Sequence, residues 1–178
     1  SGSLGVAQVT VNHYLWYLEK TFIVHKVTPF FRNVRSEITK SPIYYFVDVG
    51  LKNFSINQFG IATLLTPPPG LLFENFIHNA LHEHLGLRAA TIHFWRTHEK
   101  AEVDFVIDTG LAAIPVEVKY TALKSPEITR SFQSFLLKYK PKNAYILHLG
   151  ESLQRVFAET TVHFLPFYNV QTIFQHLG

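Results

Sequence analysis

The chain has 178 residues, 47% of them hydrophobic and 16% charged, with a net charge of +3. That is enough apolar side chain to fill the core of one ordinary domain or two small ones, and it excludes an intrinsically disordered chain. The lack of any cysteine excludes disulfides, thiol catalysis and Cys-ligated metal centres, and no apolar run approaches the roughly 18 residues that span a bilayer.

The N-terminus carries no basic region leading into an apolar stretch, so no secretory signal is read there and a cytoplasmic location is expected. The chain also lacks methionine, which fits a processed product or a piece of a longer protein. The positive charge is uneven. Residues 1–66 hold 6 basic and 3 acidic side chains, whereas residues 67–178 hold 10 of each. A modest basic excess suits contact with a polyanion and equally suits a solubilising surface.

Residues 9–20 read as a helix, with Val11, Tyr14, Leu15 and Leu18 at helical spacing and Thr10 as the expected N-cap. Residues 21–31 and 43–49 read as strands. The loop between them carries Arg32, Arg35 and Lys40. Helix, strand, basic loop and strand make the second half of a winged helix. Thr66-Pro67-Pro68-Pro69-Gly70 then marks a boundary, because three prolines continue neither a helix nor a central strand.

Beyond it, residues 71–85 read as a helix stopped by Gly86. Residues 91–97, 102–108 and 112–120 read as three strands. A second helix is expected to open at Ser125-Pro126-Glu127 and run to Tyr139, with Phe132, Phe135, Leu136 and Tyr139 inward. A fourth strand follows over 143–149, a fifth over 162–165, and a terminal helix from about Asn169. The core order is αβββαβ.

Four polar residues in this frame carry chemistry. On the strand Glu102-Val103-Asp104-Phe105-Val106-Ile107, alternation puts Val103, Phe105 and Ile107 on one face and Asp104 on the other. On the next strand Glu117 and Lys119 share a face. If the two strands pair, Asp104 and Glu117 come within reach of one cation, with Lys119 beside them. Hard carboxylate oxygens suit Mg²⁺ or Mn²⁺. Such an ion polarises a phosphoryl oxygen and activates water, while a lysine offsets developing negative charge. Glu74 falls inside the apolar arc of the helix over 71–85, where a buried carboxylate needs a cation or a donor. Each residue alone also fits a solvated strand edge or a helix margin; together they point to phosphodiester chemistry.

The stretch from Leu72-Phe73-Glu74-Asn75-Phe76 through Arg96-Thr97, Glu102-Val103-Asp104-Phe105-Val106 and Pro115-Val116-Glu117-Val118-Lys119 resembles the PD-(D/E)XK nuclease superfamily. More narrowly, it resembles the uncharacterised C-terminal domain that follows a AAA-type ATPase module in many prokaryotic proteins. Thr10-Val11-Asn12-His13-Tyr14-Leu15 and Tyr45-Phe46-Val47-Asp48-Val49-Gly50-Leu51 resemble the winged-helix part of that family.

The resemblance implies an α/β fold: a restriction-endonuclease-like αβββαβ core over 67–178, preceded by a partial winged-helix segment over 1–66. It implies that Asp104 and Glu117 are metal ligands, Lys119 the catalytic lysine and Glu74 the acidic residue of the first core helix. It also implies DNA as substrate and an ATPase module as partner; no G-x-x-x-x-G-K-[ST] occurs in this chain. Some superfamily members carry Gln-x-x-x-Tyr in the second core helix, whereas Gln133 here is followed by Tyr139.

His78 stands one turn after Glu74 and is a candidate for the same cleft; with His82 it lacks the glutamate of a zinc protease motif. Arg96, next to Trp95, is placed to meet a phosphate or to pair with Glu99 or Glu102. Arg32, Arg35 and Lys40 are candidates for a nucleic-acid backbone. The alternatives to a nuclease are a non-catalytic DNA- or protein-binding module that targets or regulates an ATPase, and an oligomerisation domain.

Overall fold

The computed structural model of the chain describes residues 5–31, 41–57, 69–86 and 88–175. It is a mixed α/β protein with an eight-stranded sheet and five α-helices among those residues.

Helix α1 (Gln8–Lys20) leads into strand β1 (Val24–Pro29). The expected cap, Thr10, lies inside the helix, and Ala7 occupies the cap position without a side-chain bond. Strand β2 (Ile43–Phe46) pairs antiparallel with β1. It is shorter than its apolar run, because Asp48 accepts a hydrogen bond from the Leu51 N–H at 2.9 Å and caps helix α2 (Val49–Ser55). The basic loop with Arg32, Arg35 and Lys40 lies outside the described residues, as do residues 66–68 of the proline boundary.

Helix α3 (Pro69–Leu85) starts at Pro69, two residues before the apolar pattern does. Gly86 ends it with φ +50°, its N–H bonded to the His82 carbonyl at 3.3 Å. Strands β3 (Thr91–Arg96), β4 (Glu102–Asp108) and β5 (Ala113–Val118) form an antiparallel meander. Helix α4 (Arg130–Tyr139) begins five residues later than Ser125. The Ser125 hydroxyl bonds the Glu127 carboxylate, and Thr129 caps the helix instead by accepting from the Phe132 N–H. Strand β6 (Asn143–His148) runs parallel to β5. Strands β7 (Leu153–Phe157) and β8 (Thr160–Pro166) pair antiparallel, with β8 parallel to β6. A 3₁₀ turn (Phe167–Asn169) and helix α5 (Gln171–Gln175) follow.

The strand order is β2-β1-β3-β4-β5-β6-β8-β7. The N-terminal hairpin therefore extends the sheet of the later segment, with β1 parallel to β3. Two apolar clusters lie on the two sides of this sheet. Phe73, Ile77, Leu81 and Leu85 of α3 and Ile173 and Phe174 of α5 pack with Phe94, Phe105, Ile107 and Val116. Phe132, Phe135 and Leu136 of α4 pack with Trp95, Val103, Val106 and Ile146.

Strict alternation fails once on β4. Val103 belongs to the α4 cluster and Phe105 to the α3 cluster, although both were expected on one face. The register explains it: His93 opposes Val106 and Trp95 opposes Val103, so Asp104 and Phe105 together face Phe94. This β-bulge turns the strand by one residue and re-aims the side chains beside it. Among the described residues no helix is long and apolar enough to cross a membrane.

Candidate functional site

The bulge, the end of β5 and the first turns of α3 bring the acidic residues into one electrostatic neighbourhood. Asp104 is half-buried, and its Oδ2 accepts a hydrogen bond from the Val118 N–H at 2.8 Å. Strand β5 thus offers a backbone donor to β4 where their regular pairing has ended at Phe105–Val116. Glu117 is buried, with 6% of its surface exposed, and its Oε1 accepts from the Lys119 ammonium at 2.6 Å. Glu74, half-buried on α3, accepts from the Tyr45 hydroxyl at 2.5 Å through Oε1.

Each carboxylate therefore spends one oxygen on a protein donor. Glu117 Oε2 is buried with no hydrogen-bond partner. Asp104 Oδ1 and Glu74 Oε2 accept no hydrogen bond from the described residues. An unpaired buried acceptor carries a desolvation penalty of about 1–3 kcal/mol, more for a charged group.

The protonation equilibria register this crowding. Burial, then the charges of Glu117 and Glu74, push Asp104 up to about 8, against the opposing pull of the Val118 N–H and Lys119. Burial also raises Glu117, while its bond to Lys119 works the other way. For Lys119, burial favours the neutral amine, but Glu117, Asp104 and Glu102 outweigh it and hold the side chain as a cation above its ordinary range. Among the described residues no three His, Cys, Asp or Glu side chains converge closely enough to form a metal cage. Magnesium, however, is commonly held by one or two carboxylates with water completing its shell.

The remaining candidates lie apart from this cluster or behind it. Arg96 pairs with Glu102 at 2.9 Å, and its guanidinium stands 5.5 Å from the Phe94 ring centre. Gln133 donates to the Ile128 carbonyl at 2.9 Å, which ties α4 to its preceding loop. His78 is fully buried, stacked on the Tyr45 ring at 4.4 Å and bonded to Asn79. Burial pushes it down to about 4, opposed by the Asn79 bond and helped by His25 and His82. The His25 ring stacks on His82 at 3.9 Å. A cavity of about 390 Å³ beside them is lined by His25, His78, His82 and His93, and not by the carboxylates.

Sequence reasoning did not single out Tyr45, Asn75 or Asn79. Asn75 Oδ1 accepts from the Phe46 N–H at 3.0 Å and its Nδ2 donates to the Phe46 carbonyl at 2.7 Å. Asn79 Nδ2 donates to the carbonyls of Phe46 at 3.0 Å and Val47 at 2.8 Å. No local pattern marked them: at about 100° per residue Asn75 and Asn79 fall outside the apolar arc that holds Glu74, and the partner of Tyr45 lies 29 residues away.

Comparisons with known proteins add the following. The family model described as Domain of unknown function (DUF4143) matches residues 69–170, more than half of the chain. A second, Domain of unknown function (DUF8612), matches residues 1–60. The uncharacterized proteins Rv2008c of Mycobacterium tuberculosis and Mb2031c of Mycobacterium bovis are each 30% identical over 150 residues, 84% of this chain and 33% of theirs. The chain thus spans about a third of the length of these curated relatives. A solved structure, the half-complex from the tetradecameric assembly of Thermococcus gammatolerans McrB AAA+ hexamers with bound McrC, aligns over 61% of this chain and 33% of the matched chain. Its TM-score is 0.46 at 13% identity.

Proposed function

We propose that this chain, which belongs to the DUF4143 family, carries a divalent-metal-dependent site for cleaving DNA phosphodiesters on a restriction-endonuclease-like core over residues 67–178. The observation that carries this reading is the set of half-used carboxylates. Glu117 keeps a buried oxygen without a partner, and burial, joined by the charges of Glu117 and Glu74, raises Asp104 to about 8. A cation joining such carboxylates favours their ionised forms over the protonated ones that burial and mutual repulsion otherwise favour.

In this reading Asp104 and Glu117 would hold Mg²⁺ or Mn²⁺. When bound, the ion supplies Lewis acidity and a more acidic water. Lys119, kept charged by its neighbours and aimed by Glu117, offsets negative charge on the phosphoryl group. Val118 N–H fixes the Asp104 carboxylate in place. Glu74 closes the acidic side of the site. Arg96, and Arg32, Arg35 and Lys40 of the basic loop, are the proposed contacts to the DNA backbone. Residues 1–66 are proposed as the winged-helix segment, and an ATPase module as the partner of the longer protein.

One observation favours the alternative, a non-catalytic module that binds DNA or protein and targets an ATPase. Glu117 and Lys119 already neutralise each other at 2.6 Å. That reading expects salt-sensitive DNA binding that survives Glu117→Gln and Lys119→Ala. The deciding experiment assays plasmid and single-stranded DNA with Mn²⁺, with calorimetric Mn²⁺ titration alongside, for the wild type and Asp104→Asn. Cleavage and Mn²⁺ binding, both lost in the variant, are the expected result. No binding at millimolar Mn²⁺ overturns the catalytic reading.

A further inference from the structure

We infer that Tyr45, on a strand outside the segment matched by the DUF4143 model, is a positioning residue for the carboxylate site, aiming Glu74 through its hydroxyl. The inference rests on the reading of that site given above and adds to it a dependence on the N-terminal hairpin.

The geometry has two points of attachment. The Tyr45 hydroxyl donates to Glu74 Oε1 at 2.5 Å, a charge-assisted bond of the strong kind. The next residue, Phe46, is held at both its N–H and its carbonyl by Asn75, the neighbour of Glu74, and Asn79 adds bonds to Phe46 and Val47. Adjacent residues of β2 therefore grip adjacent residues of α3. Sliding β2 by one position breaks the whole set at once and carries the hydroxyl away from Glu74.

The Tyr45 ring is 5% exposed, stacked on His78 and tilted against Phe105 at 5.6 Å. Those ring contacts would be made equally by phenylalanine. The hydroxyl adds one thing only, a donor to a carboxylate whose charge acts on Asp104 and Glu117. Burial and the charges of Glu74 and Asp104 raise Tyr45 above its ordinary range, so it stays a neutral donor. With Oε1 occupied, Glu74 presents Oε2. A shift of β2 relative to α3 would release that orientation, which links the hairpin to the site without any contact between the hairpin and substrate.

The test compares wild type, Tyr45→Phe, Glu74→Gln and the double variant, as the full 178-residue chain, by single-turnover DNA cleavage in Mn²⁺ and by calorimetric Mn²⁺ titration. Tyr45→Phe is expected to lower the saturating rate about tenfold, leave the KM for DNA within about twofold, and weaken Mn²⁺ binding about threefold. In the Glu74→Gln background the same substitution should have no further effect, because the hydroxyl acts through that carboxylate. Losses that add in the double variant would assign Tyr45 a merely structural role and overturn the inference.

Asn79→Ala, which loosens the grip on β2 without touching the hydroxyl, gives a second, milder arm should Tyr45→Phe fold poorly. It is expected to slow cleavage about two- to threefold in the wild-type background and not in Glu74→Gln. Wild-type rates and affinities in both variants overturn the role of Tyr45 and leave the nuclease reading standing. A wild type that neither binds Mn²⁺ nor cuts DNA overturns the site itself.

Discussion

Helix α4 buries Phe132, Phe135 and Leu136, and its half-buried amide, Gln133, is satisfied on the loop that precedes it. Helix α3 buries Ile77 and Leu81 too, but it places Asn75 and His78 among them and reaches with Glu74 to a tyrosine of another strand. The two helices cover opposite sides of one sheet with similar apolar anchors. Only α3 carries polar groups into its core, and each of them holds β2. Both sides bury an apolar cluster, and the α3 side in addition fixes a set of polar groups in place.

The sharpest way to separate the two sides is Asp104→Asn. The folded protein holds a proton on Asp104 up to about pH 8 that the unfolded chain, with its ordinary value of 3.8, has already released. Between about pH 4 and 8 the folded state binds more protons, so this residue's contribution to stability falls as pH rises. The asparagine variant removes that loss. Its melting temperature should exceed that of the wild type by several degrees at pH 8 and match it closely near pH 4, measured by thermal unfolding in both buffers. A variant less stable at pH 8 would break the comparison.

Phe135→Ala probes the other side. Phe135 is fully buried and contacts Trp95 at 5.3 Å between ring centres. Truncation should destabilise by about 3–5 kcal/mol in denaturant unfolding. Well below the new melting point, the variant should keep the cleavage and Mn²⁺ binding proposed for the wild type.

The titration of His78 acts with a sign opposite to that of Asp104. Its folded value of about 4 lies below the unfolded 6.5. The stability it contributes is complete above pH 6.5 and is lost as pH falls toward 4, amounting to about 3 kcal/mol. His78→Phe keeps a ring against Tyr45 and should flatten the pH dependence in that window, read by urea unfolding at pH 7 and pH 4.5. A slope unchanged by the substitution would place the titration elsewhere in the histidine cluster.

Much of this architecture was legible. The strands expected over 91–97, 102–108, 112–120 and 143–149 coincide with β3 to β6 to within two residues at each end, and the 3.6-residue apolar arc located α3 and flagged Glu74 as a carboxylate in need of a cation or a donor. Glu117 and Lys119, two apart on a strand, were readable as neighbours, and they meet at 2.6 Å. The bulge was not legible. It inserts one residue into a pattern whose period is two, and nothing in Val103-Asp104-Phe105 announces that the face has changed. Strand β7 was hidden by its edge position, since Gln154, Arg155 and Val156 are exposed and leave no apolar alternation. The start of α4 was misplaced because Ser125 and Thr129 both qualify as caps, and the choice turns on where the chain must enter the α4 cluster. Tyr45 belongs to a contact 29 residues long in sequence, which no local pattern encodes.

The doubled residues opposite Phe94 also set rules for altering this molecule's length. The turn over 97–101 connects β3 and β4 at the surface, and extra residues there should be absorbed with little disturbance. One residue removed between Val103 and Val106 would instead restore simple pleating and swing Asp104 away from the Val118 amide. Loop grafts or tags for this domain therefore belong in the turn, and the four-residue stretch behind it has to be transplanted intact.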